Sequence, residues 1–197
     1  MSGEFSSADA KKLVSLARKS IEYYSAAGRF LSEPCEEKKF LEKRGVFVTL
    51  HTFPERELRG CIGFPYPVKP LWSAVIEAAA EAGFHDPRFE QVKASEMEKI
   101  LVEISILTLP EKANAGDLPG KIEIGKNGLI VKRKYRSGLL LPQVAAEEGW
   151  DAETFLEHCC IKAGIPTNSW KLKGTDTFKF QAQVFSEKAP KGIVEEA

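Results

Sequence analysis

From residue 7 onward the apolar positions recur every three or four residues. Leu13, Leu16, Ala17, Ile21 and Tyr24 fall on one face of a helix. Ser6 or Ser7 is placed to cap its start, and Gly28 ends the pattern. The charged stretch "LSEPCEEKKFLEKRG" breaks the periodicity and reads as irregular chain or a short helix. The period then falls to two. "GVFVTLH" and "ELRGCIG" flank the polar loop "TFPER", which is the pattern of a β-hairpin. Three prolines in "FPYPVKP" exclude regular structure there. Pro70 suits the first position of a helix through "LWSAVIEAAAEAG", with Gly83 as its stop.

"FHDPRFEQV" reads as a loop, and Ser95 with Glu98 has the form of a capping box. In "ILVEISILTL", Ile100, Val102, Ile104 and Ile106 alternate with Leu101, Glu103, Ser105 and Leu107, which predicts a strand. "PEKANAGDLPG" reads as loop. "KIEIGKNGLIVKRKYRSGLLLPQ" reads as short strands with turns at "GKNG" and "RSG". Asp151 is placed to cap a helix through "AETFLEHCCIKAG", stopped by Gly164 and Pro166. "TFKFQAQVF" reads as one last strand with Phe178, Phe180, Ala182 and Val184 on one face, followed by a polar tail, 186–197, expected to fray. Helices and strands mix without a βαβ repeat. The pattern predicts an α+β fold, a mostly antiparallel sheet flanked by helices.

Composition narrows this little. The 197 residues suffice for one generous domain, or one with a small appended lobe. A hydrophobic fraction of 43% and a charged fraction of 28% are those of an ordinary globular protein. A formal net charge of zero argues against a protein that coats nucleic acid. No apolar run approaches the roughly 18 residues of a membrane span, and the N-terminus has no apolar signal core, so a cytoplasmic protein without a membrane partner is expected. The cysteines are Cys35, Cys61, Cys159 and Cys160, with no CxxC pair, so reduced thiols and no metal or cofactor site are expected. Nothing in the composition bears on oligomeric state.

The chemistry concentrates in "LRGCIG". Strand alternation places Arg59, Cys61 and Gly63 on one face and Leu58, Gly60 and Ile62 on the other. Symmetric closure of the hairpin pairs Cys61 with Phe47 and Arg59 with Thr49. It leaves His51 about 13 Å from Cys61, too far to serve as its base. A guanidinium beside a thiol favours the nucleophilic thiolate, and the glycines Gly60 and Gly63 leave room for a ligand or another backbone. Equally, the stretch reads as a packed strand with a buried cysteine acting as a small hydrophobe. In "FHDPRF", His85 is a candidate base or orienter for Cys61, and Asp86 and Arg88 either bind an anion or lock the loop. From Lys121 to Arg136 six basic residues face one acid, a candidate phosphate-backbone surface or a solvated edge hairpin. His158 adjoins Cys159, but neighbours on a helix do not face each other.

"LRGCIG", "DPRF" and "LLLPQVA", in that order, resemble the AMMECR domain family, named after the chromosomal region of Alport syndrome, midface hypoplasia and elliptocytosis. The resemblance covers nearly the whole chain as a single domain, 1–197. It implies an α+β fold with a larger and a smaller lobe, in intracellular proteins without an established activity. It carries the motif positions onto Leu58–Gly63, Asp86–Phe89 and Leu139–Ala145. Together these features place a small anionic metabolite in a cleft between the Leu58–Gly63 strand and the His85–Phe89 loop. Cys61 is its reactive or contacting group, His85 its second catalytic candidate, and Arg59, Gly60, Gly63, Asp86 and Arg88 bind the substrate. The alternatives are a nucleic-acid module built on the basic hairpin and a non-catalytic interaction domain.

Overall fold

The computed structural model describes residues 5–196. The first helix, α1 (Ser7–Ala27), starts at Ser6 and stops at Gly28, whose φ of 65° is left-handed. Ser6 Oγ accepts the Asp9 N–H and the Asp9 carboxylate accepts the Ser6 N–H, closing a capping box. A single turn, α2 (Lys38–Leu41), follows in the charged stretch. β1 (Val46–Thr52) and β2 (Leu58–Phe64) form the antiparallel hairpin, and α3 (Leu71–Phe84) follows the proline segment.

β3 (Ile100–Leu107) pairs with β1. Next come β4 (Glu111–Ala113), β5 (Gly128–Arg133), β6 (Arg136–Leu140), α4 (Pro142–Glu147) and α5 (Ala152–Lys162). The chain closes with β7 (Thr175–Phe180), β8 (Ala182–Glu187) and β9 (Val194–Glu196). Among the described residues no helix is long and apolar enough to cross a membrane.

The chain divides into two compact units, the larger built from residues up to 107 and from 183 on, the smaller from 108–182. The larger holds the sheet β2-β1-β3-β8-β9. Val46, Val48 and Leu50 of β1 and Val102, Ile104 and Ile106 of β3 pack on one core with Leu13, Ala17 and Ile21 of α1 and Leu71, Val75, Ala78 and Ala82 of α3. Both helices therefore cover one face of this sheet. The smaller unit holds the sheet β4-β7-β5-β6 and a core of its own, where Leu129 and Val131 meet Phe155, Leu156 and Cys159 of α5. The fold is α+β with antiparallel pairing and a smaller second lobe.

Several details depart from the pattern. Gly83 does not stop α3, which runs on to Phe84. Gly83 is a buried interior position of the helix, where a Cβ would make only ordinary contact with Ile21 at 3.4 Å. The capping interaction before β3 is made by Glu96 to the Lys93 N–H, not by Ser95 and Glu98. "KIEI" forms turns, and the β5–β6 turn lies at Lys134–Tyr135 with Lys134 at a φ of 53°, one step before "RSG". α4 was not legible, since six residues are too few to show a helical period.

The largest difference is at the C-terminus. "TFKFQAQVF" is two strands in two sheets, divided at Gln181, whose backbone exchanges hydrogen bonds with Thr108. As far as Glu196 the polar tail is not frayed: β8 extends to Glu187, which is buried against Arg18, and β9 pairs beside it, while Ala197 lies outside the described residues.

Candidate functional site

β2 is an edge strand, and the bonds on its free side define the site. Its pairing differs from symmetric closure. Thr49, not Phe47, lies opposite Cys61, and Leu50 opposite Gly60. His51 then pairs with Leu58, so Arg59 is an extra residue, a β-bulge. The Thr52 N–H to Glu57 carbonyl bond closes the loop at a position that alternation could not reveal. The bulge also breaks the strand's parity. Leu58 does not join Gly60 and Ile62 toward the core and is 42% exposed.

The loop after α3 closes the free edge at Cys61. The Cys61 N–H donates to Asp86 Oδ2 at 2.8 Å, and Arg88 Nη2 donates to the Cys61 carbonyl at 3.1 Å. Arg88 also grips Asp86 through two further bonds of 2.9 and 2.7 Å. Aspartate and arginine thus stand in for a neighbouring strand at one residue. The Arg88 hydrogen bond, with those from the Cys61 and Arg88 amides, outweighs burial and lowers the Asp86 carboxyl to about 2.

The glycines serve close approach. A Cβ on Gly60 would lie 2.2 Å from the Ala82 carbonyl of α3, and one on Gly63 would lie 2.3 Å from the Val46 carbonyl. Backbone fills the space that the sequence left open to a ligand. Arg59 points to the segment after the loop, donating to the Glu90 carbonyl at 2.8 Å and pairing with Glu96 at 3.2 Å.

His85 does not meet Cys61. It caps α3, its Nδ1 lies 3.3 Å from Glu81, and its Nε2 lies 3.4 Å from the Tyr24 hydroxyl. The group that Cys61 Sγ does meet is Thr49 Oγ1, which donates to it at 3.3 Å. Glu103 lies opposite Thr49 on β3, so Cys61, Thr49 and Glu103 form one row across the sheet, on the face away from the helices. His51 is two residues along β1 from Thr49, roughly 7 Å of strand, nearer to Cys61 than symmetric closure placed it. Its Nε2 stands 3.8 Å from Glu103, and its buried Nδ1 has no hydrogen-bond partner among the described residues. Sequence reasoning missed Thr49 and Glu103. The signal was an acid within the otherwise apolar "ILVEISIL".

Most of the remaining candidates have partners of their own, while Lys134 and Tyr135 at the tip of the basic hairpin are exposed. Burial pushes the Cys159 thiol up to about 12, and its sulfur donates to the Leu129 and Gly138 carbonyls. His158 stacks on Trp150 at 3.8 Å. In the basic segment, Lys121 pairs with Asp117 and Lys126 with Glu123. Arg133 binds Thr175 Oγ1, and Arg136 binds the Gly164 carbonyl. Among the described residues no three His, Cys, Asp or Glu side chains cluster as a metal site.

An antiparallel sheet backed by two helices, with an aspartate–arginine clamp on its edge and a smaller α+β lobe inserted after its third strand, defines the class. The AMMECR1 family model matches residues 14–185, and the chain belongs to that family. Protein MK0488 of Methanopyrus kandleri is 51% identical over 188 residues, covering 93% of this chain and 91% of the relative. A protein of Aquifex aeolicus is 45% identical over 190 residues, covering 95% and 97%. The crystal structure of the uncharacterized protein PH0010 from Pyrococcus horikoshii is similar at a TM-score of 0.85 and 44% identity, covering 95% of this chain and 96% of that one.

Proposed function

We propose that the chain binds and transforms a small polar metabolite at Cys61, on the sheet face opposite the helices. Cys61 is the reactive or contacting group. The observation that carries this reading is the Thr49 hydroxyl donating to Cys61 Sγ at 3.3 Å, beside His51, which makes no hydrogen bond through its buried Nδ1. A half-buried thiol with a polar row around it is unlike the two sealed cysteines of α5.

Transfer through the thiol is the chemistry this set suits. Sulfur bonds to an acyl carbon as the bond from that carbon to the leaving group breaks, the leaving group departs with the thiol's proton, and in this reading His51, 3.8 Å from Glu103, carries that proton. His51 takes the part that the sequence offered to His85. Asp86 and Arg88 are positioning residues, acting through the Cys61 backbone. Arg59 is neutralised by Glu96, so the reading does not require an anionic substrate.

Alkylation with iodoacetamide at neutral pH, followed by peptide mass spectrometry, tests it. Cys61 is expected to react faster than the similarly half-buried Cys35, and Thr49→Val to change the Cys61 rate alone. A Cys61 left unlabelled while Cys35 is modified would sink the proposal.

A further inference from the structure

The β-bulge at Arg59 opens a second feature, away from the Cys61 sulfur. A pocket of about 200 Å³ lies between the hairpin loop and the start of β3. Its loop wall is well anchored. Glu57 N–H donates to Thr52 Oγ1, Phe53 N–H to the Lys99 carbonyl, and Arg56 to Ser186 Oγ. Such a wall is pre-organised, which lowers the cost of binding. Arg59 and Glu96 line the pocket as a closed ion pair, so they bring polarity without net charge. Phe53, 36% exposed, supplies its apolar surface, and Ile100 bounds it from the core side.

Two charges on the lining remain uncommitted. Among the described residues neither the Glu55 carboxylate nor the Lys99 ammonium has an ion-pair or hydrogen-bond partner, and they do not pair with each other. An unpaired acid and an unpaired base around one small pocket suit a ligand that carries both opposite charges. The volume sets its size. It is below the roughly 300–1,000 Å³ of pockets for drug-sized ligands, which leaves room for a molecule the size of one amino acid.

We infer that this pocket binds a free α-amino acid with an apolar side chain, its carboxylate at Lys99, its ammonium at Glu55 and its side chain against Phe53. The site is distinct from the thiol and stands without the Cys61 reading.

The test is an amide-resolved NMR titration of the full chain with leucine, leucinamide and N-acetyl-leucine. Leucine is expected to give saturable shifts at Phe53, Lys99 and Ile100. Each analogue lacks one charge and should bind up to about fivefold more weakly, the worth of one exposed ion pair. Lys99→Glu should weaken leucine binding, and adding Glu55→Lys should restore it by exchanging the two charges. Both residues are exposed, so neither substitution threatens the fold. Absence of saturable shifts with millimolar leucine, or equal binding of all three probes, overturns the inference. Cys61→Ser should leave leucine binding unchanged, and a loss there would overturn the independence of the two sites.

Discussion

At the scale of single residues, the motif's meaning is mostly structural, and it can be measured. Asp86 is 4% exposed, with a carboxyl held at about 2 against an ordinary 3.8. A carboxylate with a depressed folded value stabilises the fold above its unfolded value and loses that contribution as pH falls through the folded one. Asp86→Asn should therefore cost roughly 2 kcal/mol near neutral pH. The gap between wild type and variant, read from urea midpoints, should close between about pH 4 and pH 2. A gap constant with pH would place the effect elsewhere. Gly60→Ala should destabilise by about 1–3 kcal/mol, as overpacking does, because the new methyl meets the Ala82 carbonyl, which cannot swing aside. Thermal unfolding checks it. Cys61, Asp86 and Arg88 were visible as unusual residues in the chain. That Asp86, rather than His85, reaches Cys61 was not, because it depends on where α3 ends.

At the scale of elements, alternation and capping located most helices and strands. Ser6 shows how directly: replacing it with alanine should cost about 1 kcal/mol of stability, read as a lower denaturation midpoint, because the Asp9 N–H then loses its acceptor. Two element-level features stayed hidden. The bulge at Arg59 inserts one residue with no composition of its own, and it reversed the facing of Leu58. The tail hid a buried ion pair, since "SEK" reads as polar surface. Glu187 binds Arg18 through bonds of 2.9 and 2.5 Å and also accepts the Val102 N–H. Glu187→Ala should cost about 3–5 kcal/mol, because it leaves a buried guanidinium without its counter-charge. A loss below 1 kcal/mol in chemical denaturation would show the tail to be as loose as its composition suggests.

At the scale of the whole molecule, the smaller unit is an insertion between β3 and β8. Its ends meet: the Thr108 N–H donates to the Gln181 carbonyl, and the Gln181 N–H to Thr108 Oγ1. With ends joined and a core of its own, residues 108–182 should fold when expressed alone. The expected result is a dispersed amide NMR spectrum with cooperative thermal unfolding, and a collapsed spectrum would contradict it. The insertion also explains why "TFKFQAQVF" misled: one continuous apolar alternation serves two sheets that belong to two units.

The sequence by itself determined the local matters: helical and strand periods, the α1 cap, the hairpin and the stretch where chemistry concentrates. These rest on neighbours within a few residues, so a one-dimensional pattern contains them. Tertiary structure alone decided the register of the hairpin, the partner of Cys61, the burial of Glu187 and the row that joins Cys61, Thr49 and Glu103. Each depends on residues far apart in the chain, brought together by helices packing on one face of a sheet. No spacing along the chain records which distant backbone, or which side chain, fills the space that a glycine leaves.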